Sequence, residues 1–223
     1  MPKPRKTPSL EPQQVRSRES LRKLLKAATE VLGQRGLEGT TIPRIADHAG
    51  LTPGAVYRRF RDKEALLEAA ILGILERQDE RIKGGLTPEK VAQIPLQVFT
   101  EQVVGGMVIT YRANASLLRS MRLFARTRRG TSFWRKANRL ETRAYERAID
   151  LFLAHRDEIR HPDPRQAVSL ALFMLVSSLF ELMEHPDDQG PWKDFLPKDE
   201  PALKKELVRA FLSYLGAAPK TRP

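Results

Sequence analysis

The sequence predicts an all-α protein: an N-terminal three-helix unit with helix-turn-helix spacing, then a larger helical unit. Three observations predict it. Apolar residues recur at steps of three and four along nearly the whole chain. No stretch alternates apolar and polar residues for long, and there is no Asn-Gly or Asp-Gly hairpin signal. Glycine, proline and hydroxyl residues punctuate the chain where helices would start and stop. The expected division is a disordered basic tail over 1–16, a helix-turn-helix domain over 17–63, a ligand-binding and dimerisation domain over 64–216, and a tail over 217–223.

The elements follow in order. Leu21, Leu24, Leu25, Ala28, Val31 and Leu32 share one helical face, and Gly36 stops that helix. Ile42, Ile45, Ala46 and Ala49 line one side of a short segment that Gly50 interrupts. Thr52-Pro53 restarts the chain as a helix to about Phe60, with a hydroxyl N-cap and proline at the first helical position. Asp62 caps a longer helix carrying Leu66, Leu67, Ala70, Ile71, Ile74 and Leu75, which Gly84-Gly85 ends. Long helices are expected at 88–113, 115–126, 131–156, 163–185 and 199–216, with a proline-rich loop over 185–198.

Charge and composition narrow the function. The chain of 223 residues has a net charge of +12 and no cysteine, which excludes disulfides and thiolate metal sites and fits a reducing compartment. No run of about eighteen apolar residues is free of charges or breakers, so no membrane span is expected. The N-terminus has no apolar core of the kind a secretory signal needs. Residues 1–63 carry 14 basic and 6 acidic side chains, and residues 112–147 carry 11 and 2. Such blocks are either the footprint of a polyanion partner or solvated helix faces.

The stretch from Thr40 to Phe60 is the informative one. A helix of about nine residues, a turn at Gly50 and a second helix of about nine have helix-turn-helix spacing. Ala46 allows close approach, Gly50 suits a positive φ, and Leu51 and Val56 can plug the core beneath. The second helix then presents Gly54, Ala55, Tyr57, Arg58 and Arg59, which suits a major groove better than a core.

From Thr41 to Leu67 the sequence closely resembles the DNA-binding domain of the TetR family of regulators. Ile45-Ala46, Ala49-Gly50, Tyr57, Phe60, Lys63-Glu64 and Leu66 match in register, and Ala27-Ala28 and Gly36 match upstream. The resemblance covers residues 17–70. It implies that Thr41 and Thr52 cap helices and touch phosphate, that Tyr57 and Lys63 clamp the DNA backbone, and that Arg44, Gly54 and Arg58 approach base edges. Pro43 and Pro53 stand where some members carry base-reading polar side chains, which shifts readout toward Arg44, Arg58 and the approach past Gly54. The family habit is a cytoplasmic repressor, released from a palindromic operator in double-stranded DNA by a small-molecule ligand; nothing in the residues decides repressor against activator.

In the second unit, the helix from Ala167 to Met183 is apolar nearly all round and must be covered on every side. With the last helix it is expected to form a four-helix bundle across a homodimer through Val168, Leu172, Leu175, Leu179, Leu207 and Phe211; the alternative is burial within one subunit. Arg119, Arg122 and Arg126 share a face, with Phe124, Phe133 and Trp134 among them. An apolar cavity with an arginine mouth would hold a hydrophobic effector with an anionic group; the alternative is a basic surface that steers DNA. Candidate pocket residues are Met107, Tyr111, Arg119, Arg122, Phe124, Trp134, Phe152 and Met174. Gly105-Gly106 marks either a kink or a place where ligand meets backbone.

An enzyme is not expected, and neither a cofactor nor a metal. A di-iron bundle needs two Glu-x-x-His motifs, and the chain has one, Glu158 to His161, where a helix is ending. There is no phosphate-binding glycine loop and no nucleophile elbow. A non-specific nucleoid-type DNA binder remains the alternative to a regulator.

Overall fold

The computed structural model describes residues 10–184, 192 and 194–217. Lys3, Arg5 and Lys6 of the basic arm, His185 and most of its loop, and the tail from 218 lie outside the described residues. Ten α-helices, and no strand, occur among the described residues. They are α1 (Leu10–Gly39), α2 (Ile42–His48), α3 (Pro53–Tyr57), α4 (Lys63–Gly85), α5 (Pro88–Val91), α6 (Leu96–Ala113), α7 (Ala115–Thr127), α8 (Ser132–Leu153), α9 (Pro164–Glu184) and α10 (Glu200–Tyr214). The chain forms two compact units, Met1–Gly73 and Ile74–Pro223, with the division falling inside α4. Residues 10–16, expected as tail, form the first turns of α1.

The first unit is built on short-range signals. Leu24, Ala27, Ala28 and Val31 of α1 pack with Ile42, Ile45, Ala46, Val56, Leu66 and Ala70. Fully burying an aliphatic side chain contributes about 1.5–3 kcal/mol, so this small cluster is what holds three short helices in place. Gly36 sits at φ 67° and breaks the helical path of α1, the left-handed conformation that glycine adopts without a Cβ penalty. The Thr40 hydroxyl then donates to the Gly36 carbonyl at 2.6 Å. At the start of α4 the Asp62 carboxylate accepts from the Ala65 N–H at 2.7 Å, capping the helix.

The second unit is a helical bundle around aromatic residues. Phe152 of α8 stacks between Phe99 of α6, with ring centroids 4.8 Å apart, and Phe211 of α10, at 5.0 Å. The helix expected over 88–113 is two helices, because Pro95 has no N–H to continue the ladder and becomes the N-cap of α6. The helix expected over 131–156 stops at Leu153 and gives way to a 3-10 turn, Arg156–Glu158. Gly105 produces no kink in α6; Lys204 of α10 lies across it, and a Cβ there would meet the lysine Nζ at 2.4 Å.

Three charged contacts tie α4 to α8 and to itself. The buried Asp79 carboxylate accepts from Arg147 of α8, and Lys83 lies 3.4 Å away one turn on. Glu76 pairs with Lys136 of α8 at 2.7 Å. Burial alone would raise the Asp79 carboxyl, but hydrogen bonds from Arg147 and Lys83 outweigh it and hold it below the ordinary aspartate value of 3.8.

α9 corrects the sequence reading of the dimer face. Val168, Leu172, Leu175 and Leu179, with Phe211 of α10, point into the subunit's own core, and Leu207 packs half-buried against it. The exposed side of α9 carries Leu170, Phe173 and Met174 instead. Over Pro164–Leu182 this helix is long and apolar enough, by length and composition, to cross a membrane. Within the second unit its inward face is core.

Candidate nucleic-acid interface

α2 and α3 are held together by their inward side chains and a four-residue turn. Ile45, Ala46 and Val56 are fully buried. The Leu51 N–H donates to the Ala46 carbonyl at 2.8 Å, and Gly50 takes φ 64° to make the turn possible. The helices are shorter than expected, seven and five residues, because the chain leaves helical geometry after Arg58. The N–H groups of Arg59 and Phe60 still donate to the Val56 carbonyl, at 2.9 and 3.0 Å. Phe60 thereby packs against the core before Asp62 caps α4.

The outward residues are those singled out in the sequence. Thr52 is the N-cap of α3, and its hydroxyl accepts from the Ala55 N–H at 3.2 Å. Pro53 follows at the first helical position, and Gly54 has open space where a Cβ would stand. Tyr57 is 56 % exposed, far more than a ring that packs on a core. Arg58 is exposed and makes no ion pair or hydrogen bond among the described residues. Thr41 is the N-cap of α2 in extended geometry, and its hydroxyl makes no capping hydrogen bond, so it is available to another acceptor or donor. Arg44 is exposed on α2 and donates to the Gly39 carbonyl at 2.7 Å. Lys63 is the first residue of α4.

Other cations nearby are occupied locally. Arg59 donates to the Ser17 carbonyl and hydroxyl at 3.3 and 3.2 Å, and Arg61 pairs with Asp62 at 2.8 Å. His48 of α2 meets Glu30 of α1 at 2.9 Å. Thr52, Pro53, Gly54, Tyr57 and Arg58 are thus exposed together on and beside one short helix that buries only Val56.

The candidate pocket residues scatter. Phe124 packs edge-on against Phe133 at 5.5 Å, and Phe152 lies in the central core, so neither faces a ligand. Met174 sits on the outer side of α9. Met107 is half-buried against the core, Arg119 is half-buried on α7, and Trp134 is half-buried in the first turn of α8. Tyr111 and Arg122 do come together. Arg122 lies over the Phe180 ring at 4.3 Å from its centroid, and Tyr111 meets the same ring edge-on at 5.3 Å. Glu141 and Tyr145 of α8 join them, and the sequence reading had missed both. Burial pushes the Glu141 carboxyl and the Tyr111 and Tyr145 hydroxyls above their ordinary values. Among the described residues no group of three acidic or histidine side chains is placed to hold a metal ion.

A buried hydrophobic triangle beneath two short helices, with a polar and cationic outer face, defines a helix-turn-helix protein with a second, wholly helical unit. Residues 24–70 match the family described as bacterial regulatory proteins, tetR family. Over 87 residues the chain is 33 % identical to the HTH-type transcriptional regulator BetI of Escherichia coli O45:K1, a match covering 38 % of this chain and 43 % of that one. The chain therefore spans less than half the length of that curated relative. The fold extends further than the sequence match. A TetR-family transcriptional regulator from Mesorhizobium loti MAFF303099 superposes with a TM-score of 0.66 at 22 % identity, covering 89 % of this chain and 97 % of that one. FadR from Bacillus subtilis in complex with stearoyl-CoA superposes with a TM-score of 0.57 at 20 % identity, covering 86 % and 97 %. The chain belongs to the tetR family of bacterial regulatory proteins.

Proposed function

We propose that the protein is a sequence-specific, DNA-binding transcriptional repressor, working in the cytoplasm as a homodimer on a palindromic operator and leaving it when a small effector binds the second unit. It is a regulator and not an enzyme. The observation that carries this reading is the outer face of α3. Phosphate contacts from Thr41, Thr52, Tyr57 and Lys63 position the helix, while Arg44 and Arg58 read base edges past Pro53 and Gly54. Arg58 has no partner within the protein among the described residues, so its guanidinium is free to grip a guanine, worth about 1–3 kcal/mol of discrimination.

Two further points support the assembly. A short helix reads only a few base pairs, and modules of this kind pair across half-sites one DNA turn apart, about 34 Å, or multiples of it. The exposed apolar side of α9, Leu170, Phe173 and Met174, offers a self-complementary face for the second copy. The effector reading draws support from the stearoyl-CoA complex of the FadR neighbour. By linkage, an effector releases DNA only if it binds the DNA-free conformation more tightly.

Selection of bound sites from random DNA tests the reading. Recovery of a palindrome is the expected result, with Arg58→Ala relaxing one base position in each half-site. Binding without enrichment of any sequence, governed by salt alone, would overturn it in favour of a nucleoid-type role.

A further inference from the structure

Four polar side chains converge in the second unit without finding partners in the protein. Arg122 of α7 is stacked flat on Phe180 of α9, so its donor fork points outward from the ring edge, and it makes no ion pair among the described residues. Tyr111 of α6 braces the other side of Phe180. Glu141 and Tyr145 stand one turn apart on α8 and so share a face. Neither tyrosine hydroxyl, nor the Glu141 carboxylate, makes a hydrogen bond among the described residues.

Desolvated polar groups are normally satisfied, so a set left open at one place marks where something else binds. The wall is also concave. Tyr145 keeps 42 % of its surface accessible, yet surrounding protein still strips enough water from its hydroxyl to raise it. The order of the charges follows from what each influences. Burial raises Tyr111 and Tyr145 first, then the negative field of Glu141 adds to it and the positive field of Arg122 opposes it. Glu141 itself feels burial alone, with no relief from Arg122. The cation and the carboxylate therefore stand on opposite sides of the tyrosine pair, too far apart to neutralise each other.

We propose that Tyr111, Arg122, Glu141, Tyr145 and Phe180 form the recognition site for the effector, and that the effector is an aromatic acid with a hydrogen-bond donor at the end remote from its carboxylate. This rests on the effector-binding reading above. Arg122 takes the carboxylate, which matches a guanidinium fork. Glu141 accepts from the remote hydroxyl or amine. The three rings flank the planar body, and the tyrosine hydroxyls line the span between the two ends.

Calorimetry on the full chain with three probes tests it: a naphthoate bearing a hydroxyl on its far ring, naphthoate itself, and naphthol. The hydroxynaphthoate is expected to bind tightest, by about tenfold or more over either half-ligand. Arg122→Gln should weaken the two acids by about tenfold and leave naphthol unchanged. Glu141→Gln should weaken the two hydroxyl-bearing probes and leave naphthoate unchanged. A variant that simply misfolds would lose all three probes together, and its melting curve reports that directly, so the paired losses are diagnostic; should either variant misfold, Arg122→Lys and Glu141→Asp replace it in the same comparison. Equal affinities for the three probes, or losses indifferent to ligand chemistry, would overturn the site. So would stearoyl-CoA binding that neither substitution alters. The regulator reading fails separately: selective probe binding with no sequence-specific DNA binding would sink it and leave the site standing.

Discussion

At the scale of single residues, two glycines in the DNA-binding unit look alike in sequence and differ in what they do. Gly50 takes a left-handed φ of 64° with empty space around it. An alanine there meets no atom but must adopt that backbone, at about 1–2 kcal/mol. Gly54 lies in ordinary helical geometry, also with nothing within reach of a Cβ. An alanine there favours the helix by at most about 1 kcal/mol, but places a methyl group on the face proposed to meet bases. Gly50→Ala should therefore lower the thermal midpoint, whereas Gly54→Ala should keep or raise it and weaken operator binding. Denaturation curves and gel-shift titrations on both variants read the difference. Equal operator affinity for native protein and Gly54→Ala would mean that α3 does not approach DNA as closely as its outer face allows.

At the scale of elements, α4 and α8 are joined by charge rather than by aliphatic packing alone. Asp79 is the pivot, buried and held ionised by Arg147 and Lys83. A carboxyl depressed in the folded protein stabilises it above its unfolded value, near 3.8, and that contribution disappears as pH falls through the lower folded value. Asp79→Asn should thus lower the melting temperature at neutral pH, and the gap to the native protein should narrow once pH drops below about 3.8. A gap that stays constant down the acid limb would show that the carboxylate's charge is not what holds the helices. The sequence reveals neither this pair nor the cluster around Arg122, because their members lie on helices 19 to 68 residues apart and only packing brings them together. The helix-turn-helix is legible for the opposite reason. Gly36, Gly50, Thr52-Pro53 and Asp62 each act on their own neighbours, so local chemistry is enough to place the breaks. Phe124 and Phe152 were misassigned to a pocket since an aromatic residue at helical spacing reads the same whether it fills a core or lines a cavity. Pro95, which splits one expected helix into two, was legible and outweighed by a long apolar pattern.

At the scale of the whole molecule, the question is what covers the second side of α9. Apolar residues surround that helix in the sequence, so periodicity cannot say which side faces home. The structure assigns Val168, Leu172, Leu175 and Leu179 to the core, leaving Leu170, Phe173 and Met174 at spacings of three and four on the outside. Phe173 is 65 % exposed, a large ring in water beside two other apolar side chains. Patches of this kind mark interfaces, and a palindromic operator needs an isologous one, in which each residue faces its own copy near the two-fold axis. Phe173→Asp places a carboxylate at such a face twice over, once from each subunit, and neither would find a cation among Leu170, Phe173 and Met174. Inside one subunit the change costs little, for the ring supports no core contact. The variant should therefore keep its native circular dichroism and melting temperature at low concentration, yet sediment as a monomer at micromolar concentration. Its operator affinity should fall further than either loss alone predicts, because binding one half-site no longer brings the other recognition helix to its neighbour at high effective concentration. If Phe173→Asp sediments like the native protein, the second copy docks elsewhere, and the outer side of α9 must be covered by some other partner.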